Sequence, residues 1–108
     1  MAKNYLEILK DSARMDPKVF SLTRIKILHS LWQIWPDGIT FREFSAGMAI
    51  QDGLLLQNLR TLQDLGYIRS ERAEMLGKIL ENFYLTDLGK GTWSESREWL
   101  LSFIDREA

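Results

Sequence analysis

The chain has 108 residues, 45% of them hydrophobic, and a formal net charge of −1, which fits one compact domain. It contains no cysteine, which excludes disulfides, thiolate metal sites and cysteine nucleophiles. Its apolar runs are far shorter than the roughly 20 residues that span a bilayer, and its N-terminus lacks the apolar segment of a signal peptide. We therefore expect a cytoplasmic protein with no membrane partner.

Charge is unevenly distributed along the chain. Residues 1–35 hold six basic and three acidic side chains, so the remaining residues carry a net charge of −4. Contacts with the phosphates of a nucleic acid require basic side chains of this kind. Random placement of charges on a solvated surface explains the gradient equally well.

The first two predicted elements are helices. A lead-in helix is predicted within residues 1–15, because Tyr5, Ile8 and Leu9 share one helical face and Asp16-Pro17 ends the pattern. The helix predicted over residues 21–35 carries two apolar stripes, which indicates burial on two sides. The stripes are Ile25, Leu28, Trp32 and Trp35, and Ile27, Leu31 and Ile34.

A turn at Pro36-Asp37-Gly38 precedes two further helices. Thr40 and Glu43 have the spacing of a capping box, which predicts a short helix from Thr40. The third helix is predicted over residues 52–65, with Asp52 as N-cap and Gly66 as the left-handed residue that ends it. Its buried stripe is predicted to be Leu55, Leu59, Leu62 and Leu65.

The C-terminal part is predicted to be a hairpin followed by a long helix. Residues 67–72 and 79–85 have strand-forming composition, and Gly77 lies in the segment between them. Thr86-Asp87 then caps a helix that ends near Asp105, with Leu88, Trp93, Leu100 and Ile104 on its apolar side. The predicted fold is therefore mainly α with a small β-hairpin: a three-helix core plus a wing, a lead-in helix and a long C-terminal helix.

Several segments in residues 16–99 carry a family resemblance. The most specific are the Leu-x-x-Leu-x-x-Leu-Gly-Tyr-Ile end of the third helix, residues 59–68, and the Tyr-Leu-Thr-Asp-Leu-Gly-Lys exit from the hairpin, residues 84–90. They resemble the small winged helix-turn-helix transcriptional regulators of the MarR, ArsR and PadR types. The resemblance implies a winged-helix DNA-binding domain over residues 16–87, followed by a C-terminal helix, residues 88–108, that serves dimerisation.

The resemblance also implies how duplex DNA is bound. The third helix would enter the major groove, and the wing, residues 67–85, would follow the phosphate backbone. The groove-facing residues would be Gly53, Leu54, Leu56, Gln57 and Arg60, and the phosphate contacts Arg42, Arg69, Arg72 and Lys78. Gln57 can pair with adenine and Arg60 with guanine. Where this chain has Leu56-Gln57-Asn58, relatives commonly carry a Ser-Arg-His-like stretch. The third helix of this chain therefore has fewer polar side chains that can hydrogen-bond to bases. The alternative interpretation is that each of these side chains is an ordinary surface residue with no role in DNA binding.

Other functions have less support in the sequence. His29 lies in the middle of the second helix without a paired nucleophile or carboxylate dyad, so we expect no enzyme, no metal site and no cofactor. The alternative to DNA binding is a winged-helix module for protein contacts. The second and last helices hold the four tryptophans and have surplus apolar surface. This favours a homodimer whose two-fold interface uses the lead-in helix and the last helix, and a small apolar effector between these helices stays an open alternative. The predicted interface is Tyr5, Ile8, Leu9, Trp93, Trp99, Leu100 and Phe103.

Overall fold

The computed structural model describes residues 4–105. Within that range the chain forms five α-helices and three β-strands, in the order α1 (Tyr5–Asp11), α2 (Leu22–Ile34), β1 (Ile39–Thr40), α3 (Phe41–Met48), α4 (Asp52–Asp64), β2 (Ile68–Met75), β3 (Lys78–Leu85) and α5 (Asp87–Ile104). Two single 3₁₀ turns, Ser12–Arg14 and Pro17–Val19, connect α1 to α2. The predicted fold class is confirmed, and β1 is an addition to it.

Polar side chains cap most of the helices, and the caps at Thr40 and Thr86 are at predicted positions. Ser21, Thr40 and Thr86 each accept a hydrogen bond from the backbone N–H three residues further on. Glu43 accepts from the Thr40 N–H in return, which completes the capping box of α3. The predicted cap of α4 is wrong: Gln51 is the N-cap and makes no side-chain bond, while Asp52 accepts from the Ser45 hydroxyl.

The three strands form an antiparallel sheet in the order β1-β3-β2. Strands β2 and β3 continue to a two-residue turn at Leu76-Gly77, both with positive φ (53° and 74°), as in a type I′ turn. This hairpin is longer than predicted, because the tight turn keeps residues 73–75 and 78 in the ladder. At the other end of β3, Gly38 lets β1 approach, since a Cβ there would lie 2.7 Å from the Phe83 carbonyl oxygen.

The core lies between α2, α3, α4 and the base of the hairpin. Leu55, Leu59 and Leu62 of the predicted α4 stripe are fully buried, and Leu65 is half-buried. The other buried apolar residues of this core are Val19, Ile27, Leu28, Leu31, Phe44, Met48, Ile68, Phe83, Leu85 and Trp93.

The ends of α2 and α5 extend beyond this core. Ile34 and Trp35, from the two predicted α2 stripes, are exposed at its C-terminus. Leu88 and Ile104, predicted on the apolar side of α5, are also exposed, because the buried residues of α5 extend only from Gly89 to Ser96. A buried stripe therefore cannot be inferred from the apolar residues of α5 alone.

The lead-in helix packs against the C-terminal half of α5. The Trp99 indole N–H donates to the Ile8 carbonyl oxygen at 2.8 Å, and the Trp99 ring meets Phe20 edge-on. Helix α1 ends at Asp11, within the predicted range of residues 1–15, and the chain continues as a 3₁₀ turn over Ser12–Arg14. In residues 4–105, no helix combines the length and apolar character needed to cross a membrane.

Candidate nucleic-acid interface

Helix α4 presents an outward face at its N-terminal half, opposite its buried leucines. Gly53, Leu54, Leu56 and Gln57 are exposed there, and we call these four residues the recognition face. Asn58, one position further on, is turned towards α2, because its side-chain oxygen accepts from the Arg24 Nε at 3.0 Å. The recognition face therefore has one polar side chain, Gln57.

Arg60 is held by the hairpin. Its guanidinium donates two hydrogen bonds to the Glu81 carboxylate, at 2.7 and 2.9 Å, and a third to the Gln63 side chain at 2.6 Å. Gln63 in turn donates to Ser70 on β2 at 3.0 Å. These bonds join the C-terminal half of α4 to both strands of the hairpin.

The Arg60–Glu81 pair also has an electrostatic consequence. Hydrogen bonding from Arg60 holds the pKa of Glu81 below its ordinary value, and the same bonds raise the pKa of Arg60. A guanidinium engaged in this way has few donors left for a base or a phosphate. The geometry does not favour the predicted contact of Arg60 with guanine and gives Arg60 a positioning role instead.

Three predicted phosphate contacts lie around one concave surface between α3, α4 and the hairpin. Arg42 and Lys78 line a cavity of about 420 Å³, and Arg72 lines one of about 330 Å³ beside Leu56 of the recognition face. The two cavities adjoin, since Phe41, Ile79 and Glu81 line both. Among residues 4–105, none of the three cations lies within ion-pair distance of a carboxylate. Arg72 is the ladder partner of Glu81 and, after Arg60, contributes to lowering the pKa of that carboxyl.

Arg69 lies on the opposite side of the hairpin from Arg72. It forms an ion pair with Glu71 and lies over the Tyr84 ring, 4.4 Å from its centroid. Strand alternation places Arg72 and Glu81 on one face and Arg69 and Glu71 on the other. The two signs are therefore not sorted between the faces. Arg69 is separated from Arg72, whereas Lys78, which pairs with Met75 next to the turn, falls on the Arg69 face by the same alternation.

The predicted dimer interface is divided between surface and core. Tyr5, Leu9 and Phe103 are exposed, and Trp99 and Leu100 are half-buried. Ile8 and Trp93 are each 3% exposed, because they fill the contacts of α5 with α1 and α2. These two residues are packed within the single chain, and an interface cannot use them as the chain is folded here.

A cavity lies between α1 and α5, where the sequence left a small apolar effector as an open alternative. It measures about 160 Å³ and is lined by Asp11, Arg14, Glu95 and Glu98 as well as Ile8 and Trp99. Ligand sites usually enclose about 300–1,000 Å³ and are mainly apolar. Its size and its charged lining do not fit an apolar effector.

His29 has a structural environment. Its Nδ1 accepts a hydrogen bond from the Trp93 indole at 3.3 Å, and its ring stacks on Trp32. Within the described part of the chain, no three side chains of the metal-binding types come together. This histidine therefore takes part in aromatic packing between α2 and α5.

The site also contains two residues that the sequence did not single out for a role in it. Arg24 fixes Asn58 from α2, and Glu81 fixes Arg60 from β3. Both contacts join residues more than 20 positions apart, so no local spacing announces them. In the sequence Glu81 is one of three glutamates of the hairpin, with Glu71 and Glu74, and nothing distinguishes it from the other two.

A short helix, a second helix with an exposed face, and a β-hairpin that contacts the second helix follow one another along the chain. This arrangement is that of a winged helix. The winged helix DNA-binding domain family matches residues 23–104, and the chain belongs to that family. No curated protein matches the chain in sequence.

Solved structures share the fold at low sequence identity. A transcriptional regulator homologue from Pyrococcus horikoshii OT3 aligns with a TM-score of 0.78 at 18% identity, over 92% of this chain and 95% of its own. Streptococcus pneumoniae FabT in complex with DNA aligns with a TM-score of 0.57 at 18% identity, over 94% and 75%. An ArsR family transcriptional regulator aligns over 100% of both chains with a TM-score of 0.56 at 14% identity.

Proposed function

We propose that this protein is a transcriptional regulator that binds duplex DNA sequence-specifically and has no enzymatic activity. The observation that carries the proposal is the set of three cations, Arg42, Arg72 and Lys78, around the concave surface beside the recognition face, none of them within ion-pair distance of a carboxylate in residues 4–105. They come from α3 and both strands of the hairpin, and so would contact phosphates on both sides of an inserted helix. As a DNA-binding protein it would act in the cytoplasm.

The recognition face would read bases in the major groove. Gln57 would pair with adenine through its amide, and Leu54 and Leu56 would contact thymine methyl groups. Gly53 has open space where a side chain would be, so the backbone can approach the DNA closely there. One amide side chain suited to adenine and two apolar side chains suited to thymine methyl groups favour DNA sites rich in A·T pairs.

Arg60 would not contact the DNA itself but would hold α4 and the hairpin in position. Its bonds to Glu81 and Gln63 fix the angle between α4 and the hairpin, so that helix and hairpin meet the DNA as one rigid unit. This would reduce the ordering that binding requires. Arg69, paired on the other face of the hairpin, has no part in the proposed contact.

We also propose a homodimer through α1 and the C-terminal half of α5. Tyr5, Leu9 and Phe103 are exposed there, next to the Trp99 contact that joins the two helices. A two-fold axis at this end would place two copies of α4 about 34 Å apart, one turn of DNA. Sedimentation at micromolar concentration tests this, and a monomer at all concentrations would contradict it.

A salt series of binding to random-sequence duplex DNA tests the proposed DNA contact. Each phosphate contact contributes about −0.9 to the slope of log K against log salt concentration, so three cations predict about −3 per chain. Arg72→Ala should make the slope shallower by about 0.9 per chain. Arg69→Ala is the matched control, because it removes the same charge from the opposite face of the same strand, and it should leave the slope unchanged.

The same experiment separates the two candidate functions. Equal effects of Arg69→Ala and Arg72→Ala would mean that a diffuse charge, and not the concave surface, attracts DNA. Absence of binding at low salt would instead favour the module for protein contacts, for which the exposed Leu54 and Leu56 (48% and 38%) are the supporting observation.

A further inference from the structure

The tip of the hairpin is apolar and largely exposed. Met75, Leu76 and Ile79 are 62%, 98% and 73% exposed. Hairpin tips are normally polar, since they are surrounded by water, and a cluster of exposed apolar side chains marks a contact surface. Met75 and Leu76 lie at the turn itself, whereas Ile79 also lines the concave surface together with Phe41 and Glu81.

Leu76 also has an unfavourable backbone conformation. Its φ of 53° lies in the left-handed region, where asparagine and glycine are favoured and a leucine side chain is strained. The position thus combines backbone strain with full exposure of an apolar side chain. Because neither property stabilises the fold, both are expected where a residue serves a contact outside the chain.

We propose that Leu76 is an apolar wedge that enters the minor groove of bound DNA, partly unstacks a base step and bends the duplex. This inference rests on the proposed DNA-binding function. Leucine and similar side chains can part base pairs in this way, and the bend then brings more DNA against the protein. The wedge would favour flexible steps such as TA, and so would add specificity at a position that α4 does not touch.

The length of the hairpin fits this placement. The last ladder pair that includes a fully buried residue is Ser70 with Phe83, and the turn begins six residues beyond Ser70. At about 3.3 Å per residue this is roughly 20 Å. The centres of adjacent major and minor grooves are about 17 Å apart, half of a 34 Å turn. A hairpin that starts beside α4 therefore reaches the neighbouring minor groove.

The surroundings of the tip favour DNA over a protein partner. Three side chains offer far less than the roughly 1,000 Å² of a stable protein interface, whereas one side chain fits a minor groove about 6 Å wide. From Met75 to Lys78 the only charge is positive. Glu74, the nearest carboxylate, lies opposite Ile79 in the ladder, and Arg72 lies two residues before it on the same face.

Bending can be measured by energy transfer between dyes at the two ends of an A·T-rich duplex of about 30 base pairs with central TA steps. The full-length parent should raise the transfer efficiency on binding. Leu76→Asn should leave it at the value of free DNA and weaken binding about tenfold. Asparagine tolerates left-handed φ, so the hairpin should be retained, which a thermal melt of the variant checks.

Two further variants serve as controls. Leu76→Met keeps an apolar wedge and should bend DNA as the parent does. Leu88→Asn makes the same leucine-to-asparagine change at an exposed residue (57%) of α5, beside Gly66 and outside the hairpin. It should leave both bending and affinity unchanged.

The outcomes separate this inference from the function on which it rests. Salt-dependent binding by the parent without bending, or equal bending by Leu76→Asn, would overturn the wedge and leave the DNA-binding function standing. A change in sedimentation of Leu76→Asn without DNA would overturn the wedge in favour of contact with a second copy. If the parent shows no salt-dependent binding, the proposed function fails and the wedge with it.

Discussion

Gly89 is the point at which α5 touches the end of α4. A Cβ at this position would lie 1.9 Å from the Tyr67 carbonyl oxygen, a distance that no relaxation of a flexible side chain can relieve. The same carbonyl accepts the Thr86 N–H at 3.1 Å. The glycine in the hairpin exit therefore has a packing reason, which is independent of DNA.

Alanine at two glycines of α5 tests this reason. Gly89→Ala should destabilise the protein by about 3 kcal/mol, as expected for a steric clash in a packed site. Gly91→Ala should stabilise it by about 0.5–1 kcal/mol, because that helical glycine has nothing within 4 Å of the added Cβ. Urea denaturation followed by tryptophan fluorescence measures both, and equal effects would contradict the account.

Glu81 gives a second test at the residue scale. Glu81→Gln should lower the free energy of unfolding by about 1 kcal/mol at neutral pH, since the partner Arg60 is partly solvated. Glu71→Gln removes a carboxylate from an exposed pair in the same strand pair and should change stability little.

The pH dependence of this difference follows from the lowered pKa of Glu81. A carboxyl group whose pKa is lowered by folding stabilises the protein above its ordinary pKa, and this contribution is lost as the pH falls through the lowered value. The gap between the parent and Glu81→Gln should therefore close on acidification. Urea titrations from neutral pH to about pH 3 would show it, and a gap independent of pH would contradict the ion pair.

At the scale of elements, α4 starts without a side-chain cap. Gln51 leaves the first backbone N–H groups of the helix unbonded by a side chain, whereas serine at an N-cap accepts from one of them. Gln51→Ser should therefore stabilise the protein by about 0.5–1 kcal/mol in urea denaturation. Gln51→Ala, which lacks an acceptor, should not, and equal effects of the two would refute a capping effect.

Elements whose signals are local could be predicted from the sequence. The Thr40–Glu43 capping box and the leucines of α4 depend on spacings of three and four residues, and the structure contains both. The predicted turn was too long, because leucine rarely adopts the left-handed conformation that Leu76 has in the two-residue turn. Strand β1 has only two residues, and its pairing depends on the tertiary approach at Gly38.

The candidate site was less predictable than the fold. Lysines and arginines can be found in a sequence, but which of them are free depends on the register of β2 and β3 and on their distance from α4. Arg60 and Arg69 both read as available contacts, and each has a carboxylate partner in the structure. Arg42, Arg72 and Lys78 lie on different elements, and only the folded chain brings them around one surface.

At the scale of the whole molecule, the net charge of −1 conceals this local arrangement. Attraction to DNA would then be short-ranged, because cations and carboxylates cancel beyond a Debye length of about 8 Å at physiological ionic strength. The protein is also elongated, with extents of 56 × 26 × 21 Å. An elongated shape leaves room for the proposed DNA contact and the proposed dimer contact at different places.

The peptide around Gly66 and Tyr67 joins these parts mechanically. The Thr86 hydroxyl donates to the Gly66 carbonyl and the Thr86 N–H to that of Tyr67, so α4, both hairpin strands and α5 meet within one hydrogen-bonded knot. A displacement of the hairpin would thus be transmitted to α5, because these hydrogen bonds make the two elements move together. The amide hydrogens of Thr86 and Gly89 should then exchange with solvent at the rate of those at the hairpin base. Faster exchange at Thr86 and Gly89 alone would mean that α5 and the hairpin open separately. Binding of DNA to the hairpin could then not change the proposed dimer contact through the Thr86 hydrogen bonds.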